Sequence, residues 1–439
     1  MNQFRFAVTD VVPAGYPNWR WALLAAAEAT FGQVVFLNNN DLTYPNDPFP
    51  NRLYAGAKRV VSFTPQKSPS HDLQTLADFH AQHRCHLVGY VGYDVKNQLE
   101  NLQSRHPNRL GFPAIWFFEP TYLVDFEPDA IVIHTDLPDA GPWSDWLTSP
   151  GTLPASRRVA KGGATIQARV SEARYVAAVD HIRALIEAGD VYELNYCMEF
   201  YAEQLQLVPV DTYRALCQRS PMPFSVFLKQ HDRYVMGASP ERFLKKTGTK
   251  LLSQPIKGTI RRGQTSADDE ALKAQLRSSE KEQAENLMIV DLVRNDLARS
   301  AETGSVRVDE LFGIYTFQQV HQMISTVSAT VRSDASLAEV LGHAFPMGSM
   351  TGAPKIRAME RIDELEASRR GVYSGVIGYI TPDGDFDFSV VIRSILYNAA
   401  DCYASFSVGS AITYDADPLQ EYAECLLKAS AMRAVLEGE

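Results

Sequence analysis

Apolar residues recur at helical spacing where the chain passes residue 175. Tyr175, Val179, Ile182 and Ile186 fall on one face of a segment from Ser171 to Ala188. Ser171 suits its N-cap and Gly189 its stop. Asp268 to Arg299 is a longer helical region with one break near Ser278-Ser279. Between Val372 and Val408 the period changes to two. Val376 to Ile380 alternates, and Thr381-Pro382-Asp383-Gly384 turns the chain. Phe386, Phe388, Val390 and Ile392 then alternate with Asp387, Ser389, Val391 and Arg393, which predicts a β-hairpin. Cys402 to Val408 is a third strand. A last helix starts at Asp417-Pro418, with Ala423, Leu427, Ala431 and Ala434 as its apolar stripe.

The first 150 residues carry shorter signals. Val60–Phe63, Leu87–Val91 and Ile131–Ile133 predict strands, and Asn38 to Pro50 is a turn-rich loop. Leu137 to Lys161 is rich in Pro, Gly, Ser and Thr and reads as a surface connection. Hairpin strands with separate helices predict an α+β architecture rather than a parallel doubly wound one. No short repeat points to a solenoid.

Composition narrows the function classes. With 439 residues, 45% of them hydrophobic, the chain can bury a large core. A net charge of −10 lacks the basic footprint of a general nucleic-acid binder. No Lys/Arg run exceeds a pair such as Arg369-Arg370, which excludes a polybasic membrane patch. The five cysteines are scattered without CxxC spacing, so a zinc site or disulfide framework is not indicated and a reducing cytosol fits. Met1 to Val12 does not read as a signal peptide, and no stretch approaches the ~20 apolar residues of a membrane helix. The chain reads as cytoplasmic.

Several segments can carry chemistry. Ser239-Pro240-Glu241-Arg242-Phe243 is followed by Gln254-Pro255-Ile256-Lys257-Gly258-Thr259. A lysine between Ile and Gly at a strand end becomes a nucleophile if an apolar wall lowers its pKa; the ordinary alternative is a solvated turn lysine. Glu241 is either a general acid or a surface carboxylate. On a helix, Glu285 shares a face with Ile289 and Leu292, so it needs a partner or must reach water. Glu424 and Lys428 either form an exposed pair, worth ~0.2–0.5 kcal/mol, or Glu424 joins Glu285 in holding Mg²⁺.

Gly348 to Lys355 is a glycine-rich turn before a helix, where backbone N–H groups can bind an anion. It lacks the GK-Ser/Thr ending of a P-loop, which excludes nucleotide binding there. Arg393 either pairs with Asp387 or clamps a substrate carboxylate with a two-pronged hydrogen bond. Tyr373 and Tyr379 flank Gly375 and Gly378, where a ligand or backbone can approach closely; core packing is the alternative for both.

In this order, SPERF (239–243), QPIKGT (254–259), AENLMIVDLVRNDL (284–297), GSVRVDELF (305–313), FPMGSMTGAPKIRAMERIDELE (345–366), YSGVIGYI (373–380), DFSVVIRS (387–394) and EYAECLLKA (421–429) resemble the chorismate-utilising enzyme family. That family includes anthranilate, aminodeoxychorismate, isochorismate and salicylate synthases. The resemblance is strong over residues 170–436. It implies antiparallel β-sheets forming a sandwich flanked by helices. It divides the chain into an N-terminal region, 1–160, and a chorismate-binding catalytic region, 161–439, packed as one unit.

The resemblance further implies that Glu285 and Glu424 hold Mg²⁺. The metal and Lys428, helped by backbone near Gly409, would hold the ring carboxylate. Arg393 and Tyr373 would hold the pyruvyl carboxylate, and the turn with Thr351 and Gly352 would shape the pocket. Anthranilate synthases usually carry PIAGT, whereas aminodeoxychorismate synthases carry PIKGT, as here. The implied mechanism has Lys257 attack ring carbon 2 while Glu241 protonates the departing 4-hydroxyl. Ammonia then attacks carbon 4 and expels the lysine.

Anthranilate synthases also use a His in a His-Leu-Val-Ser run. Aligning His321-Gln322-Met323-Ile324-Ser325 on Ser325 puts Gln322 there, and an amide has no proton to donate near pH 7. Retention of the pyruvyl group is expected, giving 4-amino-4-deoxychorismate for 4-aminobenzoate and folate synthesis. No cysteine lies in a glutaminase-like context, so ammonia would come from a separate glutamine amidotransferase subunit. Cys425 and Gly409-Ser410-Ala411 depart from the family pattern. Many relatives bind tryptophan between a Leu-x-Ser element and a Pro-x-Pro-Phe/Tyr element. Pro221-Met222-Pro223-Phe224 matches the second, but Asn39 stands at the Ser position of the first. The alternatives are an anthranilate synthase component I and a non-catalytic chorismate- or tryptophan-binding regulator.

Overall fold

The computed structural model describes residues 1–11, 19–64, 72–148 and 164–438. Two runs of antiparallel strands meet at one long strand, Ile115–Phe126. The first run leads through Arg52–Phe63, Gln33–Asn38, Phe224–Gln230, Arg233–Ser239, Ser394–Asn398 and Tyr403–Ile412 to Glu193–Ala202. The second leads through Leu87–Val91, Val376–Ile380, Phe386–Val390, Arg242–Thr247 and Lys250–Gln254 to Val320–Thr330. Strands from before residue 160 and after it are interleaved in both runs.

Alternate side chains of Gln33–Asn38 enter different cores. Val35 and Leu37 pack with Ile377 and Phe388 of the other run. Val34 and Phe36 pack with Leu23, Tyr175, Val179, Ile182 and Met432 from helices. The fold is therefore an α+β sandwich flanked by helices, with Glu172–Glu187 and Pro418–Glu437 outside the first run and Ser266–Ser278 and Glu280–Ala298 against the end of the second. Burial on both faces also explains why QVVFLN is apolar without strict alternation.

The helix starts follow their caps. Ser171 accepts from the Arg174 N–H at the head of Glu172–Glu187. Ser279 ends Ser266–Ser278 and caps Glu280–Ala298 by accepting from the Glu282 N–H, so the expected break is there. Asp417 caps Pro418–Glu437.

Three expectations need correction. The buried stripe of the last helix is Glu421, Cys425, Ala429, Met432 and Leu436, not Ala423, Leu427, Ala431 and Ala434. The helix packs one side on the protein and turns another toward a cavity, where Leu427 is 73% exposed. The hairpin strand ends at Val390; Arg393 has φ +49° and an additional strand, Ser394–Asn398, follows. Within the expected surface connection, Pro142–Thr148 is a helix that buries Trp143 and Leu147, two large apolar residues that the Pro, Gly, Ser and Thr count hides. Residues 149–161 of that connection lie outside the described residues.

Candidate active site

A cavity of about 480 Å³ opens between the end of the first sheet run, the strand Ile256–Arg261 and the helices Glu280–Ala298 and Pro418–Glu437. Lys257, Glu241, Glu285, Glu424, Lys428, Arg393, Tyr373 and Gly409 all line it. These residues are scattered over more than 180 positions of sequence, and the antiparallel pairings bring them together.

Lys257 projects from an irregular strand. Ile256 pairs with Ile324 and Thr259 with Gln322, and the register shifts between them. Gly258, at φ +90°, permits the bulge that re-aims the lysine. Its ammonium meets Glu193 Oε1 at 3.0 Å, with Lys257 12% and Glu193 1% exposed. Burial favours the neutral amine, but Glu193, Glu285 and Glu241 outweigh it and hold the lysine above its ordinary pKa. This corrects the expectation of a lysine neutralised by an apolar wall: the wall is acidic, so the resting amine is charged.

Glu241 sits in the turn between Arg233–Ser239 and Arg242–Thr247. Ser349 Oγ donates to its Oε1 at 2.7 Å. Burial pushes the Glu241 carboxyl up to about 7, against the pull of Ser349 and Lys257. Glu285 is likewise pushed up to about 7 by burial, with Lys257 opposing and Glu282 adding to the rise.

Glu424 and Lys428 form their i,i+4 pair at 2.6 Å, and Lys428 Nζ also donates to Gly409 O at 3.0 Å. The simple helical pair and a cavity-facing lysine are thus present at once. Burial pushes Glu424 upward, but Lys428 holds it below its ordinary value. Gly409 cannot carry a side chain, because a Cβ would lie 2.5 Å from Cys197 Sγ.

Arg393 does not pair with Asp387, which is taken by Arg242 at 2.9 Å. Burial lowers the Arg393 pKa, and Glu424 is the one charge that opposes this among the described residues. A half-buried guanidinium with no ion-pair partner among the described residues is free to receive an anion. Tyr373 borders the cavity while its hydroxyl donates to Cys197 Sγ at 3.6 Å. Tyr379 packs in the inter-sheet core instead.

The glycine-rich turn is placed differently from expectation. Ser349 and Met350 border the cavity, but Thr351 and Gly352 do not. Thr351 Oγ1 donates inward to Met347 O at 3.1 Å. Gly352 pairs with Leu194, and a Cβ on it would lie 2.1 Å from Glu193 O. These two residues support the wall from behind, because the strand bearing Glu193 occupies the space in front of them.

Successive residues of Val320–Thr330 face opposite ways. His321 turns to Asp269, with Nε2 2.9 Å from Oδ1, while Gln322 borders the cavity. Gln322 Oε1 is buried without a hydrogen-bond partner among the described residues. The segments Leu37–Asn40 and Pro221–Phe224 also meet, where Asn40 Nδ2 donates to Met222 O at 2.8 Å.

Glu193, Lys281, Glu282, Glu421 and Ser349 were not singled out from sequence. For Glu193 the signal is a charge opening a ten-residue strand of mostly buried positions. For Glu282 and Glu421 it is their neighbours one helical turn away, Glu285 and Glu424.

Among the described residues, no three His, Cys, Asp or Glu side chains form a ready-made metal site. Glu285 and Glu424 still give hard oxygen donors to one cavity. Burial raises Glu282 and Glu421, and Glu424 raises both further by like-charge repulsion. Lys281 answers part of this charge, 3.9 Å from Glu285 and 3.7 Å from Glu421. Crowded carboxylates with room for water and substrate oxygens fit Mg²⁺.

Comparison with known proteins bears on the family and the fold. Aminodeoxychorismate synthase of Streptomyces griseus is 45% identical over 265 residues, covering 60% of this chain and 36% of that protein. The chain thus spans well under half of that relative's length. Aminodeoxychorismate synthase component 1 of Bacillus subtilis is 32% identical over 362 residues, covering 80% of this chain and 76% of that one. The crystal structure of anthranilate synthase component I from Streptococcus pneumoniae superposes with a TM-score of 0.77 at 26% identity, covering 99% of this chain and 100% of that one. The sequence profile of the chorismate binding enzymes matches residues 38–434, and the chain belongs to that family.

Proposed function

We propose that this chain aminates chorismate at ring carbon 4, giving 4-amino-4-deoxychorismate for 4-aminobenzoate and folate synthesis. The observation that carries this reading is Lys257, the residue that separates PIKGT from PIAGT, lining the same cavity as Glu241. Similarity to two aminodeoxychorismate synthases supports it.

The substrate is a dicarboxylate. Arg393 and Tyr373 would receive the pyruvyl carboxylate and Lys428 the ring carboxylate. Glu285 and Glu424 would hold Mg²⁺, which supplies positive charge to orient and offset the dianion. Lys257, once deprotonated, attacks carbon 2. Both ring double bonds shift and the bond from carbon 4 to oxygen breaks. Glu241, poised near 7, protonates the departing hydroxyl. Ammonia then adds at carbon 4 and Lys257 leaves. The covalent detour splits one difficult substitution into two easier ones. Gln322, having no proton to give, would leave the pyruvyl group in place.

A separate glutamine amidotransferase would deliver the ammonia, in the cytoplasm. No helix among the described residues is long and apolar enough to cross a membrane. A second reading, amination at carbon 2 to anthranilate, has the Streptococcus pneumoniae structure in its favour. Incubation with chorismate, Mg²⁺ and an ammonium salt separates the two. The proposal expects 4-aminobenzoate only after an aminodeoxychorismate lyase is added. Fluorescent anthranilate without the lyase would establish the carbon-2 reading, and unconsumed chorismate would leave a binding protein.

A further inference from the structure

We propose that Glu193 is a positioning residue for Lys257, holding its ammonium at the cavity wall and taking its proton as the amine attacks. The inference rests on the carbon-4 reading and adds to it a residue that does not itself line the cavity.

Three observations carry it. First, among the described residues Glu193 is the one carboxylate in ion-pair contact with Lys257 Nζ, at 3.0 Å. Second, Glu193 Oε2 is buried and has no hydrogen-bond partner among the described residues. The lone pairs of that oxygen are unused, which leaves a place on Glu193 for the proton that Lys257 gives up. Third, the Glu193 backbone is fixed. Glu193 and Leu194 pair with Ala353 and Gly352, and only a glycine at 352 lets the two strands close.

The other acidic groups acting on Lys257 are Glu241, Glu285, Glu282 and Glu424. Glu241 must carry a proton to the leaving hydroxyl, and Glu285 and Glu424 face the cation. Glu282 makes no ion-pair contact with Nζ among the described residues, which leaves Glu193 to relieve the lysine.

The step balances. A proton moves from Nζ to the Glu193 carboxylate, and the freed electron pair forms the bond to carbon 2. The ring electrons shift, the bond from carbon 4 to oxygen breaks, and water leaves with the Glu241 proton. When ammonia adds at carbon 4, the electrons shift back and the bond from carbon 2 to Nζ breaks. Lys257 recovers its electron pair and its proton from Glu193. The new ammonium at carbon 4 returns a proton to Glu241.

Glu193→Gln keeps the shape and an acceptor for Nζ but cannot take a proton. Two readouts test it. Competitive acetylation of the apo protein, followed by peptide mass spectrometry, should modify Lys257 at lower pH in Glu193→Gln than in wild type, because the partner that raises the lysine is gone. This arm needs no turnover, so it decides the coupling even if carbon-4 amination itself fails. In steady state, Glu193→Gln should keep the KM for chorismate and lose about 10²-fold in kcat at neutral pH. The loss should shrink as pH rises, and Glu193→Asp should recover part of the rate. Unchanged acetylation and unchanged kcat in Glu193→Gln would overturn the proposal. So would a Glu193→Asp variant as slow as Glu193→Gln with KM raised in both, the mark of a structural role.

Discussion

Arg242–Asp387 and Lys257–Glu193 are both buried ion pairs, and they are built to opposite ends. Arg242 holds Asp387 with two parallel bonds, Nε to Oδ1 at 2.9 Å and Nη2 to Oδ2 at 3.0 Å. Its remaining donors reach Gln254 Oε1 and the carbonyls of Pro45 and Asp47, and it stacks 4.9 Å from the Phe224 ring. Every part of the pair is satisfied, and it ties the 39–50 loop to the sheet. Lys257 and Glu193 share one bond, leave one carboxylate oxygen without a partner among the described residues, and Lys257 lines a cavity. A fully bonded pair fixes structure; a sparsely bonded one leaves an acceptor site open beside the lysine.

Substitutions can break or sharpen that contrast. Lys257→Ala should lower carbon-4 amination on the order of 10⁴-fold, as loss of a covalent nucleophile does, measured by a lyase-coupled assay. Wild-type turnover would remove the covalent mechanism. Arg242→Met should instead act on the fold, destabilising the protein by about 3–5 kcal/mol in urea titration, because Asp387 is left buried and unpaired. A loss below 1 kcal/mol would erase the distinction between the pairs.

Glu241→Gln should cost about 10²-fold in kcat/KM without loss of stability. In wild type the acid must be protonated, so kcat/KM should fall as pH rises through about 7, and that limb should vanish in the variant. A limb that persists unchanged belongs to another group. Smallest of all, the double change Lys257→Met with Glu193→Gln should leave stability within about 1 kcal/mol of wild type, since both charges go together.

Much of this was legible in the sequence where the signal is local. Ser171, Ser279 and Asp417 cap helices because a side-chain oxygen meets an N–H three residues on. The Val376–Val390 hairpin follows from its turn and alternation. The strand Ser394–Asn398 was hidden because Arg393, at φ +49°, breaks the period just before it. The stripe of the last helix misled because cavity-facing apolar residues look like core residues in one dimension. The charge of Lys257 was the deepest miss. Glu193 lies 64 positions away, and only the folded register of Gly352 and Ala353 on Glu193–Leu194 brings it to the amine.

The central claim is that the Lys257 nitrogen bonds to the substrate ring. Mixing the chain with chorismate and Mg²⁺ without ammonia, then acid-quenching and digesting it, tests this directly by mass spectrometry. The account predicts a gain of one chorismate less one water on the peptide containing Lys257. A gain on any other peptide contradicts it, as does carbon-4 product accumulating on later addition of ammonia with no such adduct at any quench time.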